Sequence, residues 1–132
     1  MTPGRLAAGA VVVALAAGIS WFVVPREGDQ EVRVSVPTLS DAGQAGKASY
    51  DRNCVGCHGG NAAGSATGPP LVHRVYHPAQ HADIAFELAV RRGVRAHHSR
   101  FGDMPAQPAL PHEELAQITR YIRELQQTSG IY

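Results

Sequence analysis

Five residues, CVGCH at 54–58, constrain this chain more than any other stretch. Cys54 and Cys57 are its only cysteines, two residues lie between them, and His58 follows at once. Three chemistries use such a spacing. A thioredoxin-like dithiol sits in a βαβ pattern, and none surrounds 54–58. A zinc site takes four ligands, and no second C-x-x-C is present to supply them. A covalently attached haem asks for both thiols within one helical turn and the next imidazole over the iron. A disulfide between residues three positions apart would close almost no loop. The motif therefore points to one covalently bound haem c.

The N-terminus reads separately. Residues 6–24 (LAAGAVVVALAAGISWFVV) hold 19 positions without a charge. As a helix they would span about 28 Å at ~1.5 Å per residue, close to the ~30 Å hydrocarbon core of a bilayer. A cleaved signal peptide is the rival, with Ala14-Leu15-Ala16 resembling a cleavage site. Cutting there would leave Trp21 and Phe22 near a free N-terminus, whereas Trp21 suits a membrane interface. The anchor reading is therefore taken, with residues 1–25 as a transmembrane signal anchor. Arg5 precedes the segment, while Glu27, Asp29 and Glu31 follow it. The positive-inside rule then keeps the N-terminus in the cytoplasm. The expectation is a single-pass protein of the cytoplasmic (inner) membrane with its soluble domain in the periplasm.

Residues 26–39 read as a linker, polar at first, in which Val32, Val34 and Val36 alternate as a short strand would; an extended tether is preferred to a strand of the fold. The remaining 40–132 is one domain's worth of chain. A formal net charge of +1 offers no global attraction to nucleic acid. Three helices are expected. The first runs over 41–52 from Ser40 as N-cap. The second covers 78–92, with Ile84, Ala85 and Leu88 on one side and Gly93 as its stop. The third covers 111–127, opening on Pro111 and carrying Leu115, Ile118, Tyr121, Ile122 and Leu125 at helical spacing. The loops between them, 59–77 and 94–110, are too long for ordinary connections in so small a domain. An all-α fold of three main helices, with long loops wrapped around a haem, accounts for both.

If His58 binds one face of the iron, the other face needs a donor. Met104, in FGDMPAQP, is the only methionine besides Met1 and lies 46 residues beyond His58. A lone methionine is more often a core filler, but this one precedes Pro105 in an irregular loop. A thioether is a soft donor that raises the reduction potential of a His-ligated iron.

With these residues assembled, 40–127 resembles a class I c-type cytochrome of the membrane-anchored bacterial kind. In that family a glycine eight residues before the first cysteine and an aromatic four before it pack the first helix on the last. Gly46 and Tyr50 match these, and Ile118 and Tyr121 match the partner helix. Gly68, Pro69 and Leu71 match the family's Gly-Pro-x-Leu, and Met104-Pro105 its Met-Pro. The resemblance implies that the Pro69 carbonyl accepts the Nδ1–H of His58 and that Leu71 packs on the haem. The family's tryptophan for a haem propionate has no counterpart, because Trp21 lies in the apolar segment. Tyr76, Arg74 and Arg100 stand as alternatives. The implied function is one-electron carriage between respiratory redox partners, not enzymatic turnover. An electron-entry subunit of a permanent complex, or a small-ligand haem enzyme or sensor, are the rivals.

Two groups remain. His73, His77, His81, His97 and His98 read as polar loop side chains, as a second metal site, or, for His97 and His98, as rivals of Met104 at the iron. Arg91, Arg92, Arg95 and Arg100 form a basic cluster suited to docking acidic redox partners. No aromatic residues interleave it in the manner of a nucleic-acid surface.

Overall fold

The computed structural model describes residues 31–97 and 101–132. Within them the chain is helical: α1 (Asp41–Asn53), the single turn α2 (Val55–His58), α3 (Asp83–Arg92) and α4 (His112–Thr128), with short 3-10 turns at Gly60–Ala62 and Arg74–Tyr76. No sheet forms among the described residues, only one isolated antiparallel bridge between Val94 and Met104. No described helix is long and apolar enough to cross a membrane. The apolar segment 6–24 lies outside the described residues.

α1 begins where its cap allows. Ser40 is extended at the N-cap, and its Oγ accepts from the Gly43 amide at 3.1 Å. The same hydroxyl donates to Glu124 Oε1 on α4 at 2.6 Å, while the Ser40 amide donates to Oε2 at 3.0 Å. Burial works against the Glu124 charge, but these bonds and the Arg120 guanidinium at 2.7 Å outweigh it. Its carboxyl is held below the usual carboxylate range. A folded pKa below the unfolded value gives stability that is present above about 4.5 and lost as pH falls through and below that point. Glu124→Gln is therefore expected to cost about 1.5–3 kcal/mol at pH 7. Urea unfolding at pH 7 and again near pH 3.5 checks it, since the gap from wild type should close in acid.

The α4 stripe behaves as its spacing predicts. Leu115, Ile118, Tyr121, Ile122 and Leu125 are all buried and form the core with Tyr50, Ala62, Leu71, Val72 and Leu110. α1 crosses α4 at Gly46, where an added Cβ would collide with the Gln117 backbone carbonyl. The crossing seats Tyr50 against Tyr121, ring centroids 5.5 Å apart.

Two expectations need correction. The second helix starts at Asp83, not near 78. The His77 carbonyl accepts from the Gln80 and His81 amides in an isolated turn, and Ala82 is then extended. A helix through 78–92 would need the His81 carbonyl for the Ala85 amide. Arg123 of α4 takes that carbonyl, and also the Tyr76 carbonyl at 3.0 Å, so Ala85 bonds to Ala82 instead. The second correction concerns 26–39. From Glu31 onward this segment is extended but not free: the Val32 amide donates to the Ala63 carbonyl at 2.7 Å, and Val32, Val34 and Leu39 pack on the core. Alternation of valines here reflects one face laid on a domain, not a strand in a sheet.

Candidate functional site

The CVGCH stretch folds as a kink followed by one turn. α1 ends at Cys54, whose carbonyl then accepts from the Cys57 and His58 amides at 3.1 and 2.9 Å. Gly59 closes the turn with φ 72°, in the left-handed region open to glycine. One short turn thus places both thiols and the imidazole on one edge of the molecule. Both thiols are free in this arrangement. Burial, and then the neighbouring Cys57, push the Cys54 thiol up to about 11. A dithiol built for exchange needs the opposite shift, toward an available thiolate.

His58 is oriented from behind. Its Nδ1–H donates to the Pro69 carbonyl at 2.9 Å, the bond that the resemblance implied. Burial lowers the pKa of the imidazole, and the Pro69 bond opposes that only in part, so the ring is held neutral. The proton on Nδ1 leaves the lone pair on Nε2, the arrangement of a metal-binding imidazole.

His58 belongs to the wall of a cavity of about 520 Å³ whose lining includes Cys54, Cys57, Pro69, Leu71 and Met104. Every site residue expected from the sequence meets in this one crevice, although they span 51 positions of chain from first to last. α3 supplies one apolar wall through Ala85, Phe86, Leu88 and Ala89, and α4 closes the floor through Leu115, Ile118 and Ile122. Met104 also lines the cavity, half-buried on a ribbon pinned at its base. Val94 and Met104 exchange both backbone hydrogen bonds, at 3.0 and 2.8 Å. Gly93, φ 73°, makes room for that ribbon, since a Cβ there would press on the Met104 carbonyl. Two thiols, one neutral imidazole and one thioether converging on an apolar slot fit a covalently held metalloporphyrin with nitrogen and sulfur donors. The set does not suit a hard cation, which takes oxygen ligands.

The structure sorts the remaining candidates. Tyr76 lines the crevice, while Arg74 lines a separate cavity of about 390 Å³ beside Arg33 and the chain's C-terminal turn. Arg100 and His98 lie outside the described residues. Among those described, no three His, Cys, Asp or Glu side chains gather as a metal group. Arg91 donates to the Pro108 and Leu110 carbonyls at 2.9 and 2.6 Å and ties the returning loop to α3. Arg92 and Arg95 do line the crevice mouth and are exposed.

Arg123 escaped the sequence reading altogether. Only 8% exposed, it donates to the Tyr76 and His81 carbonyls, to Asp83 Oδ1 at 2.8 Å and to Gln126 Oε1 at 2.6 Å. Its guanidinium also lies 4.9 Å from the centre of the Phe86 ring. The wall that carries Tyr76, His81 and Phe86 hangs on this one side chain. The only signal available was a charge inside the apolar stripe of α4.

Comparison with known proteins agrees with this geometry. The family model described as Cytochrome c matches residues 43–126, from the first turn of α1 to the last turn of α4. No curated relative matches the chain.

Proposed function

The chain belongs to the cytochrome c family, and from that premise we propose that it is a membrane-tethered, periplasmic one-electron carrier between respiratory redox partners. Haem c, bound in this family through the Cys-x-x-Cys-His thiols, supplies a one-electron couple that exchanges electrons by outer-sphere transfer. The observation that carries the reading is the convergence of Cys54, Cys57, His58 and Met104 on one apolar crevice.

In this reading His58 would hold the haem iron through Nε2, its ring aimed by the bond from Nδ1–H to the Pro69 carbonyl. Met104 would supply a second donor through Sδ, a soft thioether that favours the reduced state. Leu71, Phe86 and Ile122 keep water from the site. With both positions at the iron held by the chain, none would be left for a substrate. The rival, a small-ligand enzyme or sensor, requires one of them open. The test is the ferric spectrum of the full-length protein extracted from membranes. A weak far-red sulfur-to-iron band is expected in wild type and its loss in Met104→Ala. A high-spin wild-type spectrum would sink the carrier reading in favour of ligand chemistry.

Partner recognition falls to the rim. Arg92 and Arg95 flank a mouth where Val75 and Leu88 are 40% and 41% exposed, an apolar centre beside positive charge. An acidic redox protein fits it. Reversing both charges, Arg92→Glu with Arg95→Glu, is expected to slow oxidation by ferricyanide about tenfold at low ionic strength. Reduction by hexaammineruthenium(II), a cation, should speed up. Both effects should fade as salt rises above ~0.15 M. Equal rates for wild type and variant with both reagents would remove the rim from the docking surface. Anchoring follows from residues 6–24: the full chain is expected to sediment with membranes and to resist extraction by salt.

A further inference from the structure

Arg123 is a charge placed where the fold admits little water. Its side chain is 10% exposed, while that of its ion-pair partner Asp83 is 73% exposed. The pair, 2.8 Å apart, has one end inside the domain and the other in solvent. Water and salt screen the carboxylate and reach little of the guanidinium. The other acceptors of Arg123 are neutral: the Tyr76 and His81 carbonyls and Gln126 Oε1. Such dipoles screen a cation without cancelling it. A guanidinium stays charged at any working pH, so part of one positive charge is left acting on the interior.

On that side lies the crevice. Tyr76, His81 and Phe86 all line it. Arg123 holds the first two by their carbonyls and lies 4.9 Å from the centre of the Phe86 ring. The guanidinium thus stands directly behind residues of the crevice wall. No aspartate or glutamate is among the described residues that line the crevice, and Arg92 and Arg95 are exposed at its mouth. Bracing the wall needs N–H donors but no charge. The neutral amide of Gln126 already serves in this way, donating to the Leu71 and Tyr76 carbonyls at 2.8 and 3.3 Å. Burying a charge costs far more than burying an amide, and bracing alone gives no reason for that cost.

We propose that Arg123 sets the reduction potential of the crevice, its buried charge favouring the reduced state of the iron held there. Oxidation leaves one more positive charge in the crevice, and a fixed cation behind the wall opposes it. The effect is Coulombic: it needs no contact with the cofactor, no proton transfer and no movement. At the effective dielectric of ~20 that suits protein sites, one such charge is expected to change the equilibrium constant for reduction by about tenfold. For a one-electron couple that is ~59 mV. The rim arginines act in the same direction, but there water and salt screen them. The two groups then divide between them. Arg123 decides which donors and acceptors the carrier can serve, and the mouth decides how partners approach.

Midpoint potentials of the full-length holoprotein in detergent test this, by mediated titration at ionic strengths of ~0.02 and ~0.5 M. Arg123→Met removes charge and brace together. Arg123→Lys keeps the charge and loses the planar fork, and is read near pH ~6 to hold the ammonium protonated. Asp83→Asn removes the counter-charge but leaves an amide oxygen to accept from Arg123 Nε. Arg123→Met should lower the potential, by about tenfold in the constant, at both ionic strengths. Arg123→Lys should stay close to wild type, and Asp83→Asn should lie above it at low ionic strength. The shift of Arg92→Glu with Arg95→Glu should shrink with salt. An Arg123→Lys potential as low as that of Arg123→Met would make bracing the cause and overturn the proposal. So would an Arg123→Met at the wild-type potential, or a shift that vanishes with salt. Should Arg123→Met fail to mature, Asp83→Asn decides, since an unchanged or lowered potential there also overturns it. The proposal takes its purpose from the carrier reading, and the two fail separately. A high-spin wild type that still shows these shifts removes the carrier reading and keeps the charge effect. A low-spin wild type without them removes this inference alone.

Discussion

Replacing both Cys54 and Cys57 by serine is expected to yield a chain that keeps α1 packed on α4 and loses α3. The two helices of the crossing carry a core of their own, with Tyr50, Tyr121, Ile118 and Leu125 at 3% exposure or less. α3 has no buried residue at all. Its Phe86, Leu88 and Ala89 face the crevice, and Ile84 is 57% exposed on the outside. A helix of 10 residues is marginal in water without a packing surface, and in the proposed reading the cofactor would supply that surface to the crevice side of α3. The 94–110 ribbon, anchored to α3 through Gln107 and Arg91, should loosen with it. Among the described residues α1, α2 and α4 hold 13, 4 and 17 residues, so losing the 10 of α3 removes about a quarter of the helical circular dichroism that these four helices contribute. Hydrogen exchange gives the sharper check. Amides of α4 should remain protected while those of 83–92 exchange at nearly free rates. Equal protection of both helices would mean that α3 is held by Arg123 and Phe86 alone. Complete unfolding would mean that the α1–α4 crossing does not stand by itself.

Gly46→Ala is expected to destabilise the protein by about 3 kcal/mol, the upper end for one misplaced methyl in a packed interior. The sign is the informative part. In a free helix the same change would add up to ~1 kcal/mol of stability. Here the new Cβ runs into the Gln117 carbonyl and the Tyr121 Cβ, which belong to the facing helix and cannot rotate away. Separating α1 from α4 to admit it opens the Tyr50–Tyr121 contact. It also strains the bonds from Tyr50 Oη to the Gly59 carbonyl at 2.8 Å and from Tyr121 Oη to Asn61 Oδ1 at 3.1 Å. Those bonds hold the turn after His58, so the damage reaches the crevice. Gly43→Ala should cost less, because its Cβ would meet the Glu124 carboxylate, the movable end of a side chain. Guanidinium unfolding of the two variants beside wild type measures both. A stabilised Gly46→Ala would show that the helices do not cross there.

The sequence by itself determined what lies close along the chain. CVGCH places two thiols and an imidazole on a single turn because helical geometry does so for that spacing. Ser40 announced the start of α1, and the apolar repeat from Leu115 to Leu125 announced the buried face of α4. Gly46 and Tyr50, read with Ile118 and Tyr121, marked the helix crossing, and Met104 marked a thioether that the crevice gathers with the CVGCH residues. What only the tertiary structure decided were bonds between a side chain and a distant backbone. α3 begins five residues later than its periodicity suggests because Arg123 removes carbonyls 42 and 47 positions away. Val32 is part of the domain because Ala63 offers its amide an acceptor. Arg91 braces the returning loop through two backbone carbonyls, and His58 is aimed by the carbonyl of Pro69, 11 positions away. Such bonds follow no local period. The residue type tells that a donor exists, and only the fold tells which acceptor is brought within 3 Å of it.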